Sequence, residues 1–407
     1  MTVPGSPPVL NRRAAWILCF LVSMIEGFDL QAAGVTAPRL APALGIGSGN
    51  MGLFFSAATI GLIVGALIGG RLADRIGRRS GLLLALTAFG VCSIATAFAW
   101  NFPSLFAFRF LTGVGLGGAL PNLIAIAAET NRGRASSAVA AMYAGMPAGG
   151  AVAALLSVLD AHGPWQLIFV IGGVAPLIVA PFVLFLLPAL RIRRSGAGGS
   201  DLHRTVRALF GPGQWQRTIA LWIGFFFALV VLYLLLNWLP VLLVARGMGP
   251  TQAGTVQIVF NVAGSAGSLL AGWGMEGARR RHTVLICFGG VIVALTALAL
   301  TPANFVLVLV AGAVVGGTVM GTQAILYGLA PAQYPVEVRG TGVGAAVAVG
   351  RLGSVAGPLL AGLLLAAGKD SAQILMGIAP IAILGGLATL YLVGAPGRRK
   401  NPEEIEI

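Results

Sequence analysis

Two acidic residues, Glu26 and Asp29, interrupt a long apolar run near the start of the chain, and Arg351 interrupts another near its end. Three residues apart, the two carboxyls share a helix face. A carboxyl can take up and release a proton. Burial disfavours its ionised form and a nearby guanidinium favours it, so a paired acid can change state when its arginine is taken by another anion. Arg351 offers a planar fork that suits a carboxylate better than a lysine would. The competing reading is a static buried ion pair that holds helices together.

Other polar residues in apolar surroundings extend the candidate site. Tyr143, Tyr233, Asn237, Trp238, Gln323 and Tyr327 can stack on a ring or hydrogen-bond a ring hydroxyl. Gln323 and Tyr327 fall on one helix face, whereas Trp238 near a helix end reads equally as an interfacial belt residue. Asn122 and Gln31 need polar neighbours, which helix-to-helix hydrogen bonding would also supply. Arg109 can reach outward along its helix or line a cavity. His162, His203 and His282 lack the spacing of metal ligands, and Cys19, Cys92 and Cys287 show no paired spacing, so no metal site or disulfide framework is expected. No GxxxxGK[ST] loop is present to bind ATP. The chemistry expected is reversible binding of a proton and an organic anion, with the proton as coupling ion and no other cofactor.

The elements that must hold these residues follow from composition. Of 407 residues, 57% are hydrophobic and 9% charged, far from a soluble average of roughly 25% charged. Crossing about 30 Å of hydrocarbon takes roughly 20 apolar residues. Hydropathy, with charged and Pro/Gly-rich breaks as boundaries, predicts helices over 14–37, 50–70, 80–99, 102–128, 135–158, 164–188, 218–240, 251–273, 282–301, 304–330, 340–366 and 371–394. The runs are too long and too uniformly apolar for barrel strands. An all-α membrane protein of twelve transmembrane helices results. Its 59 glycines suit close helix packing, as along Gly113 and Gly117 or along Gly350, Ser354, Gly357 and Ala361.

The formal charge of +14 is distributed very unevenly. Of 26 Lys and Arg, 21 fall on the side that holds both termini. Only Arg39, Arg246 and Lys369 fall opposite, and Arg109 and Arg351 lie within spans. The positive-inside rule puts both termini in the cytoplasm, and this distribution argues against nucleic acid as partner. The basic, Gly/Ser-rich segment 191–217 reads as a cytoplasmic linker between a bundle at 1–190 and a second at 218–407. Across it, GRLADRIGRR at 70–79 is echoed by GWGMEGARRR at 272–281, placing Asp74 opposite Glu276, and RGRASS at 132–137 is faintly echoed by RGTGVG at 339–344. Such offsets indicate two pseudo-symmetric six-helix halves that rock around a mid-depth site.

GRLADRIGRR resembles the loop between helices 2 and 3 of the major facilitator superfamily, and RFLTGVGLG at 109–117 resembles that superfamily's helix-4 pattern. EGFDLQAAG at 26–34 is similar to the DGxD-type signature of the aromatic acid/proton symporter family, with Glu26 in place of its first Asp. With LPNLIA at 120–125, LLNWLPVLLV at 235–244 and the run 342–362, the variant is most similar to that family's hydroxyphenylpropionate transporters. The resemblance implies a monomeric, proton-coupled importer of a small aromatic carboxylate in a bacterial inner membrane, not an enzyme. Asp29 and Glu26 would handle the proton, and Arg351 the substrate carboxylate. It also implies gate-like or structural roles for Asp74, Arg75, Arg78, Arg79 and Arg109, to which Glu129, Glu276 and Arg339 are added by position. GMPAGG at 145–150 partly resembles a helix-5 pattern of drug/proton antiporters, so export of small organic compounds stays open.

Overall fold

A computed structural model describes residues 12–130, 145–160, 163–186, 209–212, 214–276, 279–302, 304–334 and 338–394. Among them regular structure is helical throughout, with no strand. The first six helices are α1 (Arg12–Ala43), α2 (Ser48–Ile76), α3 (Arg78–Ala97), α4 (Phe102–Thr130), α5 (Gly145–Leu159) and α6 (Gln166–Leu186). The second six spans are α7 (Trp215–Ala245), α8 (Pro250–Gly274), α9 (Arg280–Leu300), α10 (Phe305–Leu329), α11 (Arg339–Ala366) and a last one in two pieces, α12 (Ser371–Gly377) and α13 (Ala379–Gly394). Ten of these stretches are long and apolar enough to cross a membrane, and α5 is a shorter apolar helix. With α4, at 29 residues, they make twelve.

Helix α1 runs on to Ala43 through Pro38 and Pro42, past the end expected at residue 37. A proline removes one backbone hydrogen bond, which a helix packed among neighbours can re-satisfy, so it does not stop a membrane helix as it would a soluble one. Most of the 191–217 linker lies outside the described residues, as does 135–144 of the fifth expected span.

One end of the molecule is closed by short turns. Gly45, Gly247 and Gly368 hold φ of 61°, 89° and 79° there, which lets the preceding helix stop within a residue or two. The other end carries the arginine-rich α2–α3 and α8–α9 junctions, so the duplicated segments 70–79 and 272–281 occupy equivalent places.

Packing repeats with the same displacement. The largest contacts within the first six helices are α2 with α4 and α1 with α5; within the second six they are α8 with α10 and α7 with α11. Glycine makes the first type possible. A Cβ on Gly113 or Gly117 would come within 1.9 Å of the Ala58 carbonyl or 2.1 Å of the Leu62 carbonyl, and one on Gly316 would come within 2.1 Å of the Phe260 carbonyl. On α11 the close face is Gly350, Gly353 and Gly357 against α7. Ser354 instead turns its hydroxyl back to the Arg351 carbonyl.

The core is not evenly shared. Toward the arginine-poor end one apolar cluster joins both halves, including Phe54, Phe55 and Phe169 with Trp238, Val256 and Phe260. Toward the arginine-rich end the first half has its own cluster around Leu86, Phe89 and Leu116, and the second half its own around Cys287, Phe288 and Ile325.

Candidate functional site

The run EGFDLQAAG fans out from α1, its residues reaching several different helices. A Cβ on Gly27 would lie 2.0 Å from the Met146 carbonyl of α5, and one on Gly34 would lie 2.5 Å from the Leu236 carbonyl of α7. Phe28 lies against Gly172 of α6. The two glycines bring neighbouring backbones close enough for the intervening polar side chains to reach across.

Asp29 is fully buried and reaches α4. Arg109 Nη1 donates to both carboxylate oxygens, at 3.0 and 2.9 Å, and Nη2 to the Asp29 backbone carbonyl at 3.2 Å. Ser93 of α3 donates to Oδ1 at 3.0 Å. The guanidinium lies between the rings of Phe169 and Phe54, with its carbon 5.4 and 6.0 Å from their centroids. With 1% of Arg109 exposed, neither the outward reach nor the open-cavity placement expected for it is realised. Arg109 starts only about 10 Å into α4, yet its long side chain reaches Asp29 and is sealed there.

Glu26, one turn earlier on α1 and 1% exposed, has no such shell. Its Oε1 has no hydrogen-bond partner among the described residues. The charges acting on it are Arg351 and Asp29. Although Glu26 and Asp29 share a broad helix face as expected, they serve different arginines. The roughly 60° between positions three apart on a helix turns Asp29 into its own half and Glu26 toward the other.

Arg351 on α11 is part-exposed, and its Nη1 donates to the Tyr233 hydroxyl of α7 at 2.7 Å. Tyr327 on α10, 37% exposed, sets its ring edge-on to Phe225 at 5.1 Å. Arg351, Tyr233 and Glu26 all act on it electrostatically. Four of the expected site residues therefore converge from α1, α7, α10 and α11: a buried acid, a guanidinium and two phenols. Gln323 lies one turn from Tyr327 on α10.

Gln31 belongs to a group that sequence reasoning missed. Its amide and that of Asn261 exchange hydrogen bonds at 2.7 Å in each direction, and Gln257 Nε2 donates to Gln31 Oε1 at 2.9 Å. All three are buried. The available signal was the spacing of Gln257 and Asn261, four apart on one face of an apolar helix. Nothing in that spacing names a partner on α1. Gly150 leaves the room, since a Cβ there would meet Gln31 Nε2 at 1.7 Å.

The remaining expected residues scatter. Asn237 is buried and donates to the Tyr233 carbonyl within its own helix at 2.8 Å, so its amide is committed to backbone. Trp238 is a core residue rather than an interfacial one. It is 1% exposed, its Nε1 donates to the Pro358 carbonyl at 3.0 Å, and its ring meets Phe55 of the other half edge-on at 5.0 Å. Arg75, Glu276 and Arg339 are exposed at the arginine-rich end, and Arg79 donates to the Leu184 carbonyl. Asp29–Arg109 is an ion pair among the described residues, and none is described between Arg75, Arg79, Glu276 and Arg339. Tyr143 lies outside the described residues, as do the side chains of Asp74, Arg78, Asn122 and Glu129.

Each contact between halves named above lies between mid-depth and the arginine-poor end. Ser56 of α2 adds a hydrogen bond to the Val355 carbonyl of α11 at 2.9 Å, and a Cβ on Gly52 would lie 2.9 Å from the Pro358 carbonyl.

Fold and site together define a multi-pass helical membrane protein of two repeated six-helix bundles, with charged groups held at mid-depth between them. The chain belongs to the Major Facilitator Superfamily, whose family profile matches residues 19–276 and again 221–406. It is 44% identical to the 3-(3-hydroxy-phenyl)propionate transporter of Escherichia coli (strain K12), over 94% of each chain. It is 34% identical to the gallate transporter of Pseudomonas putida, over 86% of this chain and 85% of the relative. Among solved structures it resembles the nucleoside transporter NupG, with a TM-score of 0.79 at 13% identity over 94% of this chain and 99% of that one, a likeness of fold.

Proposed function

We propose that this protein imports a small aromatic carboxylate of the hydroxyphenylpropionate type together with a proton, across a bacterial inner membrane. The observation that carries this reading is the convergence of Glu26, Arg351, Tyr233 and Tyr327 at mid-depth. A guanidinium with a phenol at its side is a receptor for a carboxylate attached to a ring. The high identity to an aromatic acid transporter supports the same chemistry.

The proton falls to Glu26 rather than Asp29 in this reading. Asp29 already has a guanidinium and a hydroxyl on its carboxylate, and protonating it would leave Arg109 buried without a counter-charge. Glu26 has an oxygen without a partner, and it shares Arg351 with the incoming substrate. A buried carboxylate must be paired or neutralised. A substrate carboxylate on Arg351 offsets the positive charge that acts on Glu26, so a proton must accompany the substrate, and symport follows. The basic count supports a cytoplasmic position for both termini and the 191–217 linker, and in this reading the end at which the halves meet faces outward.

The test is uptake of labelled 3-(3-hydroxyphenyl)propionate into proteoliposomes under imposed pH gradients. Accumulation should follow an inward proton gradient and collapse with a protonophore. Accumulation driven only by the opposite gradient would instead indicate an exporter. Against that second reading, Gly145 and Gly149 of the GMPAGG run are consumed by packing, with Cβ positions 2.7 Å from the Phe20 carbonyl and 1.8 Å from the Met24 carbonyl of α1.

A further inference from the structure

Gln323 is 7% exposed, and neither its amide nitrogen nor its carbonyl oxygen has a hydrogen-bond partner among the described residues. Other buried amides behave differently. Gln31 and Asn261 satisfy each other, Gln257 has its nitrogen bonded though not its oxygen, and Asn237 bonds to its own helix. Burying an amide with both ends unmade is unfavourable, whereas an apolar side chain of similar volume would avoid the loss. Such a residue in a packed protein is accounted for by a partner that arrives later.

Position narrows what that partner is. Gln323 precedes Tyr327 by one turn on the same face of α10, and Tyr327 lies within electrostatic reach of Arg351, Tyr233 and Glu26. A ring whose carboxylate rests on Arg351 and whose face meets Tyr327 would carry its substituent toward this amide. A hydroxyl both donates and accepts, and so does an amide.

We propose that Gln323 is the specificity-determining residue that reads the ring hydroxyl, making this site selective for hydroxylated over unsubstituted aromatic acids. The proposal rests on the aromatic-acid reading above. A site built to hydrogen-bond a hydroxyl rejects the analogue that lacks it, because its own buried group is then left unpaired. A merely apolar pocket separates the two weakly.

The test is calorimetric titration of the purified full-length protein with 3-(3-hydroxyphenyl)propionate and with 3-phenylpropionate, for wild type, Gln323→Leu and Gln323→Met. Wild type should prefer the hydroxylated acid by about tenfold or more. Both variants should bring the ratio close to one by weakening the hydroxylated acid alone, with Tm held or raised because an unsatisfied amide has been removed. Either folded variant keeping the wild-type ratio would overturn the proposal. So would a loss of Tm with affinity for both acids falling together in both variants, the mark of a structural amide. A wild type that binds both acids equally removes the hydroxyl role but leaves the aromatic-acid reading standing. A wild type that binds neither removes both.

Discussion

Two acids three residues apart on α1 meet two arginines in opposite ways. Asp29 is enclosed by Arg109, Ser93, Phe54 and Phe169, all from its own half of the molecule. Glu26 faces Arg351 of the other half, keeps an unpartnered oxygen, and shares its surroundings with a part-exposed guanidinium and phenol. A buried carboxylate with both oxygens hydrogen-bonded has nothing to offer a ligand, even though Arg109 leaves its Nε unpartnered. One whose bonds are incomplete, at a junction between moving parts, can exchange partners. In the proposed mechanism intramembrane charge alone does not mark the working site; an incompletely satisfied carboxyl facing a guanidinium of the other half does.

The largest effect that would break this contrast concerns Arg109. Arg109→Ala strands the Asp29 carboxylate and should cost about 3–5 kcal/mol of stability, read as lost folded yield and Tm in detergent. The double variant Asp29→Asn, Arg109→Gln should recover much of that loss. If Arg109→Ala folds normally, the sealed pair is not structural.

Arg351→Ala should do the reverse, leaving Tm near wild type while weakening substrate binding by roughly 10–100-fold, the worth of a hydrogen-bonded charge. Arg351→Lys should fall between the two, since it keeps charge without the fork. Near-native affinity in Arg351→Ala would move the carboxylate anchor elsewhere.

Glu26→Gln tests the proton. Uptake by this variant should lose its acid stimulation, while exchange of labelled for unlabelled substrate persists. Wild-type pH dependence in Glu26→Gln would return the coupling role to Asp29.

Gln31→Leu removes one member of the inter-half amide group and should cost about 1–3 kcal/mol in the state where the halves meet at the arginine-poor end. A cysteine in place of Gly254 is too crowded to report on this; one at Val35 should label faster with an impermeant reagent in the variant. Unchanged labelling would show that the amides do not hold that end closed.

Much of this was legible beforehand because membrane depth makes polar residues conspicuous. Glu26, Asp29, Arg351, Tyr233, Gln323 and Tyr327 all stand out as interruptions in apolar runs, and the repeat of GRLADRIGRR places the halves in register. Pairing was not legible. Which arginine serves which acid depends on a rotation of about 60° between positions three apart on α1, and the Gln31 group joins residues more than 220 positions apart. Trp238 misled because nearness to a helix end suggests an interface, while the α2 and α11 ends close over it.

The glycine seams between α2 and α4, and between α8 and α10, carry a mechanical consequence. At Gly61, Gly65, Gly113 and Gly117 of the first seam and at Gly267 and Gly316 of the second, backbone meets backbone, with no side chain there to swing aside or change rotamer as the helices pass. Shear within either pair would drive carbonyl oxygens into Cα atoms, so each pair behaves as a welded plate. The compliance needed for the molecule to turn its opening from one face to the other must then reside between these plates, as at the α5–α8 crossing, where Gly254 meets the side chain of Val158 rather than backbone.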